Sequence, residues 1–274
     1  LGSDLNRANN LTNDLVDPIS KEPDFKFCAV RVEKHIKKKE RIVIIGAGAG
    51  AHGFVRSFRE LNGDDEIVIF SNENTPFYNR VMLPHYVSGE LKWEQLVKMQ
   101  DAEEAALKIQ HIRAVQVTAI DRDNKCVYDS RGIKTNYDVL ILATGSRPSL
   151  PRHVPQLPGI FTMRSRTDAD RLIKYLPKEA HVVIVGGGLL GLEMAASLRE
   201  NGTKITIIQR VSRFLNRQLD PLGSQLLHEQ MVDLGCDIFY NDEVQLYCGR
   251  NKLTKIELKS GRQIKCDAVI LAIG

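Results

Sequence analysis

One local pattern occurs twice in this chain of 274 residues, and it limits the folds open to it. "RIVIIGAGAGAHG" runs from Arg41 to Gly53, and "HVVIVGGGLLG" runs from His181 to Gly191. The leading glycines, Gly46 and Gly186, stand 140 residues apart. Each copy opens on an unbroken apolar run, as expected of a strand covered on both faces of a parallel sheet. Each continues through a glycine turn into helical spacing: Phe54, Phe58 and Leu61 in the first, "LLGLEMAASLRENG", ending near Gly202, in the second. A second buried strand follows, "EIVIF" or "KITIIQR", and each copy closes on a strand and a glycine, "YDVLILATG" or "CDAVILAIG".

The glycines carry a specific chemistry. A helix N-terminus offers unpaired N–H groups and the positive end of a dipole to a dinucleotide pyrophosphate. Gly46 and Gly186 permit the tight strand-to-helix turn, while Gly48 and Gly188 have no Cβ and let the backbone approach the phosphates. The third position, Ala51 or Gly191, lets the helix pack close to the strand. Ordinary βα turns also contain glycine, but here both turns follow a buried strand and precede an amphipathic helix. Two dinucleotides on one chain suit hydride transfer between them, with flavin and nicotinamide as the pair.

The expected fold class is therefore α/β, with two Rossmann-like dinucleotide-binding domains, the second inserted in the first. Each is a three-layer ββα sandwich, a parallel sheet with a small antiparallel meander. "EVQLY", "LTKIELK" and "QIKCD", with "KSGR" as a turn, make the meander expected in the second half. "DPLGSQLLHEQMVDLG" reads as a helix with Asp220 as N-cap, Pro221 in its first position and Gly235 as its stop. The polar, turn-rich residues 1–40 read as an extension or linker. Residues 41–149 read as the first, FAD-binding domain and 150–268 as the second, NAD(P)-binding one. Residues 269–274 read as a strand returning toward the first.

The residue after the second strand of each unit selects the nucleotide. In the second unit, Gln209 stands where a carboxylate would grip the adenosine ribose, followed by Arg210 and Arg213. A guanidinium suits a 2′-phosphate, which favours NADPH over NADH; two surface arginines beside an NADH site without an acid are the alternative. In the first unit Glu73 is the nearest carboxylate to the flavin-side ribose, with Asn72 as the alternative.

Composition excludes several classes. Charged residues make up 26% of the chain and the net charge is +4, a soluble globular balance. Lys37-Lys38-Lys39 has no interleaved aromatics, so it reads as a solvated linker and not as a nucleic-acid contact. No apolar run reaches membrane-spanning length and no signal peptide is visible, so no membrane partner is expected. The five cysteines, Cys28, Cys126, Cys236, Cys248 and Cys266, are odd in number and include no C-x-x-C pair. Neither a metal site nor a redox-active disulfide is expected, and a cytoplasmic setting fits.

Two glycine units bracketing "ATG" and "AIG" resemble the pyridine nucleotide–flavin oxidoreductases, and "TPFYNRVMLPHYVSGE" is most similar to the flavin module of assimilatory NAD(P)H-nitrite reductase large subunits. Rubredoxin and ferredoxin reductases are similar at greater distance. The resemblance covers residues 41 to 274 and implies FAD in the first unit and NAD(P)H in the second. It further implies that Arg80 and Leu83 lie along the flavin and that Val117 meets the adenine through its backbone. Ala143, Thr144 and Gly145, with Arg147, would border the flavin on its other side. Glu193, expected in the first turn of the second helix, is the candidate catalytic residue near the nicotinamide–flavin contact. Each has a plainer alternative: a surface ion pair for Arg80, core packing for Leu83 and Val117, and a favourable charge near a helix N-terminus for Glu193.

Relatives that reduce disulfides carry a C-x-x-C near the flavin, and others a single cysteine at the place of Val81, which cannot act as a thiolate. Electrons are thus expected to leave for an iron–sulfur or other redox partner. The family closes its flavin domain with a strand and a Gly-Asp motif not found up to Gly274, so that domain is expected to be incomplete. "LTNDLVDPISKEPDFKFCAVRVE" resembles the end of the molybdopterin-binding domain of bacterial nitrate reductases. It implies a longer fusion in which an iron–sulfur or molybdenum redox domain shares the polypeptide and the module serves nitrate or nitrite reduction. A free-standing rubredoxin or ferredoxin reductase is the second expectation, and a nucleotide-sensing flavin-binding protein without turnover the third.

Overall fold

Runs of Ile and Val build two parallel sheets. The computed structural model describes residues 39–61, 63–151 and 153–273; the molybdopterin-like tail, Lys37, Lys38, Cys28 and Gly274 lie outside them. The first half contains β1 (Arg41–Ile45), α1 (Ala49–Leu61), β2 (Glu66–Phe70), α2 (Leu83–Ser88), α3 (Trp93–Leu96), α4 (Asp101–Ala106) and β3 (Ile109–Ile112). It continues with β4 (Val117–Asp121), β5 (Cys126–Asp129), β6 (Lys134–Asn136) and β7 (Val139–Leu142). The second half contains β8 (Ile160–Thr162), α5 (Arg166–Tyr175), β9 (His181–Val185), α6 (Leu189–Glu200), β10 (Lys204–Gln209), α7 (Pro221–Asp233) and β11 (Asp237–Tyr240). It ends with β12 (Val244–Cys248), β13 (Lys255–Leu258), β14 (Gln263–Lys265) and β15 (Ala268–Leu271).

The sheet orders are β3-β2-β1-β7 and β11-β10-β9-β15-β8, all parallel. Each half adds a three-stranded antiparallel meander, β4-β5-β6 and β12-β13-β14. Both halves therefore share one plan: strand, glycine turn, helix, strand, meander, closing strand. The duplication extends to single hydrogen bonds. Asp138 accepts from the Arg41 amide at 2.8 Å, and Asp267 from the His181 amide at 2.9 Å. The Asp138 amide donates back to the Arg41 carbonyl at 2.9 Å and the Asp267 amide to that of His181 at 2.8 Å. Each aspartate clips the start of the closing strand to the start of the first.

The sequence expectation gives the first half a meander, β4-β5-β6, but assigns no residues to its strands. β4 and β6 bury no side chain fully, and the buried pair Cys126 and Val127 in β5 is too short to set a period. The expected return strand is also corrected. Residues 269–271 belong to β15, which lies between β9 and β8 in the middle of the second sheet. β15 is buried throughout, whereas β7, its counterpart, is an edge strand with Leu142 63% exposed. The difference follows from β8, which covers β15 and has no equivalent beside β7 among the described residues.

From Arg41 onward the chain forms one compact unit, and residues 77–97 of the first half join its halves. Tyr78, Leu83, Val87 and Leu96 share a single buried cluster with Met163, Leu172, Met194 and Leu198. Around its rim the Tyr86 hydroxyl donates to Asp170 at 2.7 Å, and the Asn201 amide donates to the Ser88 carbonyl. The Arg166 guanidinium lies 4.0 Å from the centre of the Trp93 ring. Burial of this size fixes one half against the other.

Candidate functional site

The end of β1 and the end of β7 meet at Gly46. Its amide donates to the Phe70 carbonyl at 2.8 Å, and a Cβ added to it would lie 2.2 Å from the Ala143 carbonyl oxygen. With φ at +107°, only glycine makes this turn without strain. Gly186 repeats the arrangement, donating to Ile208 at 2.9 Å and abutting the Ala272 carbonyl, with φ at +114°. Ala143 and Thr144, and likewise Ala272 and Ile273, are thus the floor beneath each glycine turn.

The next glycine in each loop differs in kind. A Cβ on Gly48 or on Gly188 would meet no protein atom within 4 Å. Gly188 has φ −87°, a conformation open to any residue. Neither the fold nor the backbone requires glycine at these two positions. The third position is again packed: Ala51 is fully buried on α1, and a Cβ on Gly191 would lie 2.0 Å from the Gly186 carbonyl oxygen.

A cleft of about 850 Å³ opens over the first glycine turn. Gly46, Gly48, Asn72, Glu73, Arg80, Val117, Ala143, Thr144, Gly145 and Arg147 all line it. Ala51 and Leu83 do not reach it; Ala51 faces the sheet, and Leu83, 1% exposed, belongs to the cluster between the halves. The second half adds Arg164, Ser165, Asp168 and Arg171, which the sequence did not single out. Nothing in "FTMRSRTDAD" marks them, because their approach depends on how the halves pack.

Glu73 and Arg80, expected as separate ligands, are partners of each other. Arg80 Nη1 lies 2.6 Å from Glu73 Oε1, and the Tyr78 hydroxyl donates to Glu73 Oε2 at 2.8 Å. Tyr78 in turn accepts from Arg80 Nη1 at 2.7 Å and from the Arg166 amide at 3.1 Å. Burial raises the Tyr78 hydroxyl above its ordinary range, so it remains a neutral donor. Arg80 is neither a surface ion pair nor a free cation: it is three-quarters buried and held by a hub that spans both halves.

α5 points its N-terminus at the same cleft. Ser165 Oγ accepts from the Asp168 amide at 3.2 Å, and the Asp168 carboxylate accepts from the amides of Ser165 at 3.0 Å and Arg164 at 3.1 Å. This reciprocal capping satisfies the donors that a helix start leaves open.

Over the second glycine turn, the Gly187 amide donates to Gln209 Oε1 at 3.0 Å, and Gln209 Nε2 donates to the Arg213 carbonyl at 3.1 Å. A Cβ on Gly187 would lie 2.3 Å from the buried Phe214 ring. The 209–215 loop therefore rests on the glycine turn, with Gln209 as its tie. Arg210 is exposed, and no carboxylate occurs between Gln209 and Leu219. Glu193 is exposed and is the fifth residue of α6, in its second turn and not its first. The helix start carries no acid, and the field of the dipole fades beyond the first turn. Glu193 does not line the cleft.

Cys126, Cys236 and Cys266 are buried, and no cysteine lines the cleft. Burial pushes the Cys236 thiol up to about 11 and that of Cys266 to about 12, far from a reactive thiolate. Among the described residues, no group of three His, Cys, Asp or Glu side chains could hold a metal ion, and no helix is long and apolar enough to cross a membrane.

Comparison with known proteins places this geometry. The pyridine nucleotide-disulphide oxidoreductase family pattern matches residues 40–274. The assimilatory nitrate reductase electron transfer subunit of Bacillus subtilis (strain 168) is 29% identical over 86% of this chain and 31% of its own length. Rubredoxin-NAD(+) reductase of Ectopseudomonas oleovorans is 28% identical over 85% of this chain and 61% of its own. Among solved structures, that of the covalent putidaredoxin reductase-putidaredoxin complex has a TM-score of 0.82 at 27% identity, covering 86% of this chain and 58% of that one. In each comparison the chain spans less than two thirds of the relative.

Proposed function

The chain belongs to the pyridine nucleotide-disulphide oxidoreductase family, and from that premise we propose that it is an NAD(P)H-dependent flavoprotein reductase module, binding FAD in its first half and NAD(P)H in its second. The boundaries proposed are those of the sequence, 41–149 and 150–268, with the second extended through β15. One observation carries the proposal: Gly48 and Gly188 face open space at matching strand-to-helix turns. Glycine is required there only if a ligand's phosphates come close. The donor set of the first cleft also fits a dinucleotide, because Arg147, Arg164 and Arg171 line it and none makes an ion pair among the described residues. When both cofactors are bound, they supply hydride transfer from NAD(P)H to FAD and single-electron release to an iron–sulfur partner.

The protein's own part is to hold and orient. The glycine turns present backbone N–H groups at two helix starts, and the Glu73–Tyr78–Arg80 hub braces one side of the first cleft. The buried cluster between the halves keeps the two turns at a fixed separation. No side chain is required as a general acid or base. Glu193 stands as a residue exposed on α6 near the second turn, and its proposed place near the nicotinamide is secondary to this scaffold.

NADPH is the proposed nucleotide. Gln209 is committed to Gly187 and Arg213, which leaves Arg210 and Arg213 as the charges next to the ribose position. Gln209→Glu would keep the bond from Gly187 but set a carboxylate against the Arg213 carbonyl. Its preference for 2′,5′-ADP over 5′-AMP, measured by calorimetry, is expected to fall about tenfold, the cost of one opposed buried polar contact. An unchanged preference would remove the arginine loop from the specificity determinant.

The proposed exit for electrons is an iron–sulfur or molybdenum redox domain, on the same longer polypeptide, in nitrate or nitrite reduction. The B. subtilis relative, an electron transfer subunit of a nitrate reductase, supports that partner class. The rubredoxin reductase relative supports a free-standing reductase as the second reading. Neither reading needs a protein thiol, and no cysteine lines the cleft. Turnover of NADPH with ferredoxin or rubredoxin as acceptor is expected to survive alkylation of accessible thiols unchanged. Its loss in step with thiol modification would contradict the proposed route.

A further inference from the structure

We propose that Arg113 is a positioning residue for the dinucleotide of the first cleft: gripped by the buried carboxylate of Glu104 on α4, it sets the course of the loop 113–117, which forms part of the cleft wall. The inference rests on the reading of that cleft as an FAD site. It adds a residue that does not itself line the cleft and acts only through the backbone it holds.

α4 has six residues and carries three acids in its first turn, Asp101, Glu103 and Glu104. Glu103 pairs with Arg56 of α1, while Asp101 and Glu104 share Arg113. Arg113 Nη2 donates to Glu104 Oε2 at 2.8 Å and to Asp101 Oδ1 at 2.7 Å. Beyond the end of α4, Arg59 Nε of α1 donates to the Leu107 carbonyl at 2.7 Å. The helix is thus fixed against α1, which starts at the first glycine turn, and holds Arg113 from that fixed position. Its two acids on Arg113 are unequal: the Glu104 side chain is 7% exposed and that of Asp101 80%. A buried carboxylate is costly unless paired, so Glu104 holds its partner firmly, whereas an exposed pair adds little. The buried His111 ring packs against both members, with Nδ1 3.0 Å from Glu104 Oε1 and 3.3 Å from Arg113 Nε.

What Arg113 holds is the backbone beside the cleft. The Ser71 amide donates to the Ile112 carbonyl at 2.9 Å, the Ala114 amide to that of Glu73 at 3.1 Å and the Val115 amide to that of Ser71 at 2.8 Å. Ser71, Asn72 and Glu73 line the cleft, and so do Val115, Gln116 and Val117. Two stretches of its wall are therefore stitched together, and Arg113 lies between the first stitch and the second. Ala114 has φ +57°, a conformation that a residue with a Cβ keeps only where its surroundings hold it. The Glu104–Arg113 pair on one side and the two stitches on the other supply that hold. Releasing Arg113 gives Ala114 a way out of its strained conformation, and the wall loosens where a ligand would need it preformed.

Two measurements on the full chain test the proposal: FAD binding to the cofactor-free protein, followed by quenching of flavin fluorescence, and amide hydrogen exchange of the same protein without ligand. Arg113→Lys keeps a charge opposite Glu104 and so protects the fold, but lacks the planar fork. It is expected to raise the FAD Kd about tenfold, the worth of one charged hydrogen bond. The amides of Ala114 and Val115 are expected to exchange about tenfold faster, while those of β1 and β9 keep their wild-type rates. Asp101→Asn, which removes only the exposed acid, is expected to change neither reading more than about twofold. Binding of 2′,5′-ADP to the second half stays as in the wild type. Unaltered FAD affinity in Arg113→Lys, with the wild type binding FAD, overturns the assignment and leaves the functional reading standing. Weakened FAD with unaltered exchange at Ala114 and Val115 overturns the route through the loop. Faster exchange in β1 as well reduces Arg113 to a general stabiliser and overturns the positioning role. An Asp101→Asn protein as weakened as Arg113→Lys overturns Glu104 as the anchor. Failure of the wild type to bind FAD overturns the functional reading and this inference with it.

Discussion

Gly188→Val is expected to slow reduction of bound flavin by NADPH at least about 100-fold, a loss of about 2.7 kcal/mol in nucleotide binding, while leaving thermal stability unchanged. The two halves of that expectation come from the same fact. No protein atom lies within 4 Å of a Cβ at residue 188, and its φ of −87° suits valine as well as glycine. The protein therefore has no reason of its own to reject the side chain. A phosphate approaching the N-terminus of α6 does, since the isopropyl group would fill the space it needs. Gly191 is the instructive contrast. A Cβ there collides with the Gly186 carbonyl at 2.0 Å, so substitution displaces α6 and mixes loss of fold with loss of function. Calorimetry with 2′,5′-ADP separates binding from chemistry: a Gly188→Val protein that binds this probe normally would show that the second turn is not the nucleotide site.

Gly48→Val is expected to have the matching effect on the first half: the protein is purified without flavin, and FAD added back binds at least about 100-fold more weakly. Residue 48 faces the cleft of about 850 Å³, again with nothing from the protein within 4 Å of a Cβ. The second half provides the internal control. Its glycine turn stands on a separate sheet, with Gln209 and Phe214 locking the loop above it, so 2′,5′-ADP should bind Gly48→Val as it binds the wild type. A uniform loss of both ligands would indicate unfolding. Retention of FAD by Gly48→Val would assign the cleft to some other occupant.

The framework of both sheets could be read from residues 41–274 because parallel strands buried on two faces are written as plain Ile and Val runs, and because the glycines between strand and helix mark the turns. The α7 boundaries were equally open to reading: Asp220 accepts from the Gly223 amide at 2.7 Å, Pro221 opens the helix, and Gly235 ends it at φ +79°. Elements that packing does not pattern stayed hidden. β4 and β6 of the first meander bury no side chain fully, and so carry no alternation to detect. Helical spacing groups Leu61 with Phe54 and Phe58, yet Leu61 is 51% exposed while Val55 faces the core.

At the site, a sequence can nominate charged residues but cannot say which will neutralise each other. Glu73 and Arg80 are joined through Tyr78, a residue with no distinguishing mark in "TPFYNR". Gln209 was placed by its position at the end of the second strand, but its service as a tie between Gly187 and Arg213 depends on a loop closure visible only in three dimensions. Glu193 falls one turn later than expected because α6 begins at Leu189. Arg164 was invisible for a different reason, since it reaches the first cleft only through the cluster that binds residues 77–97 to α5 and α6.

Anaerobic mixing of the flavin-loaded full chain with NADPH, followed by visible absorbance, addresses the account at its centre. Two matched glycine turns on one rigid scaffold predict that the wild-type flavin bleaches completely and that the flavin of Gly188→Val does not. A wild-type flavin that stays oxidised, or one that bleaches equally fast in Gly188→Val, would contradict it.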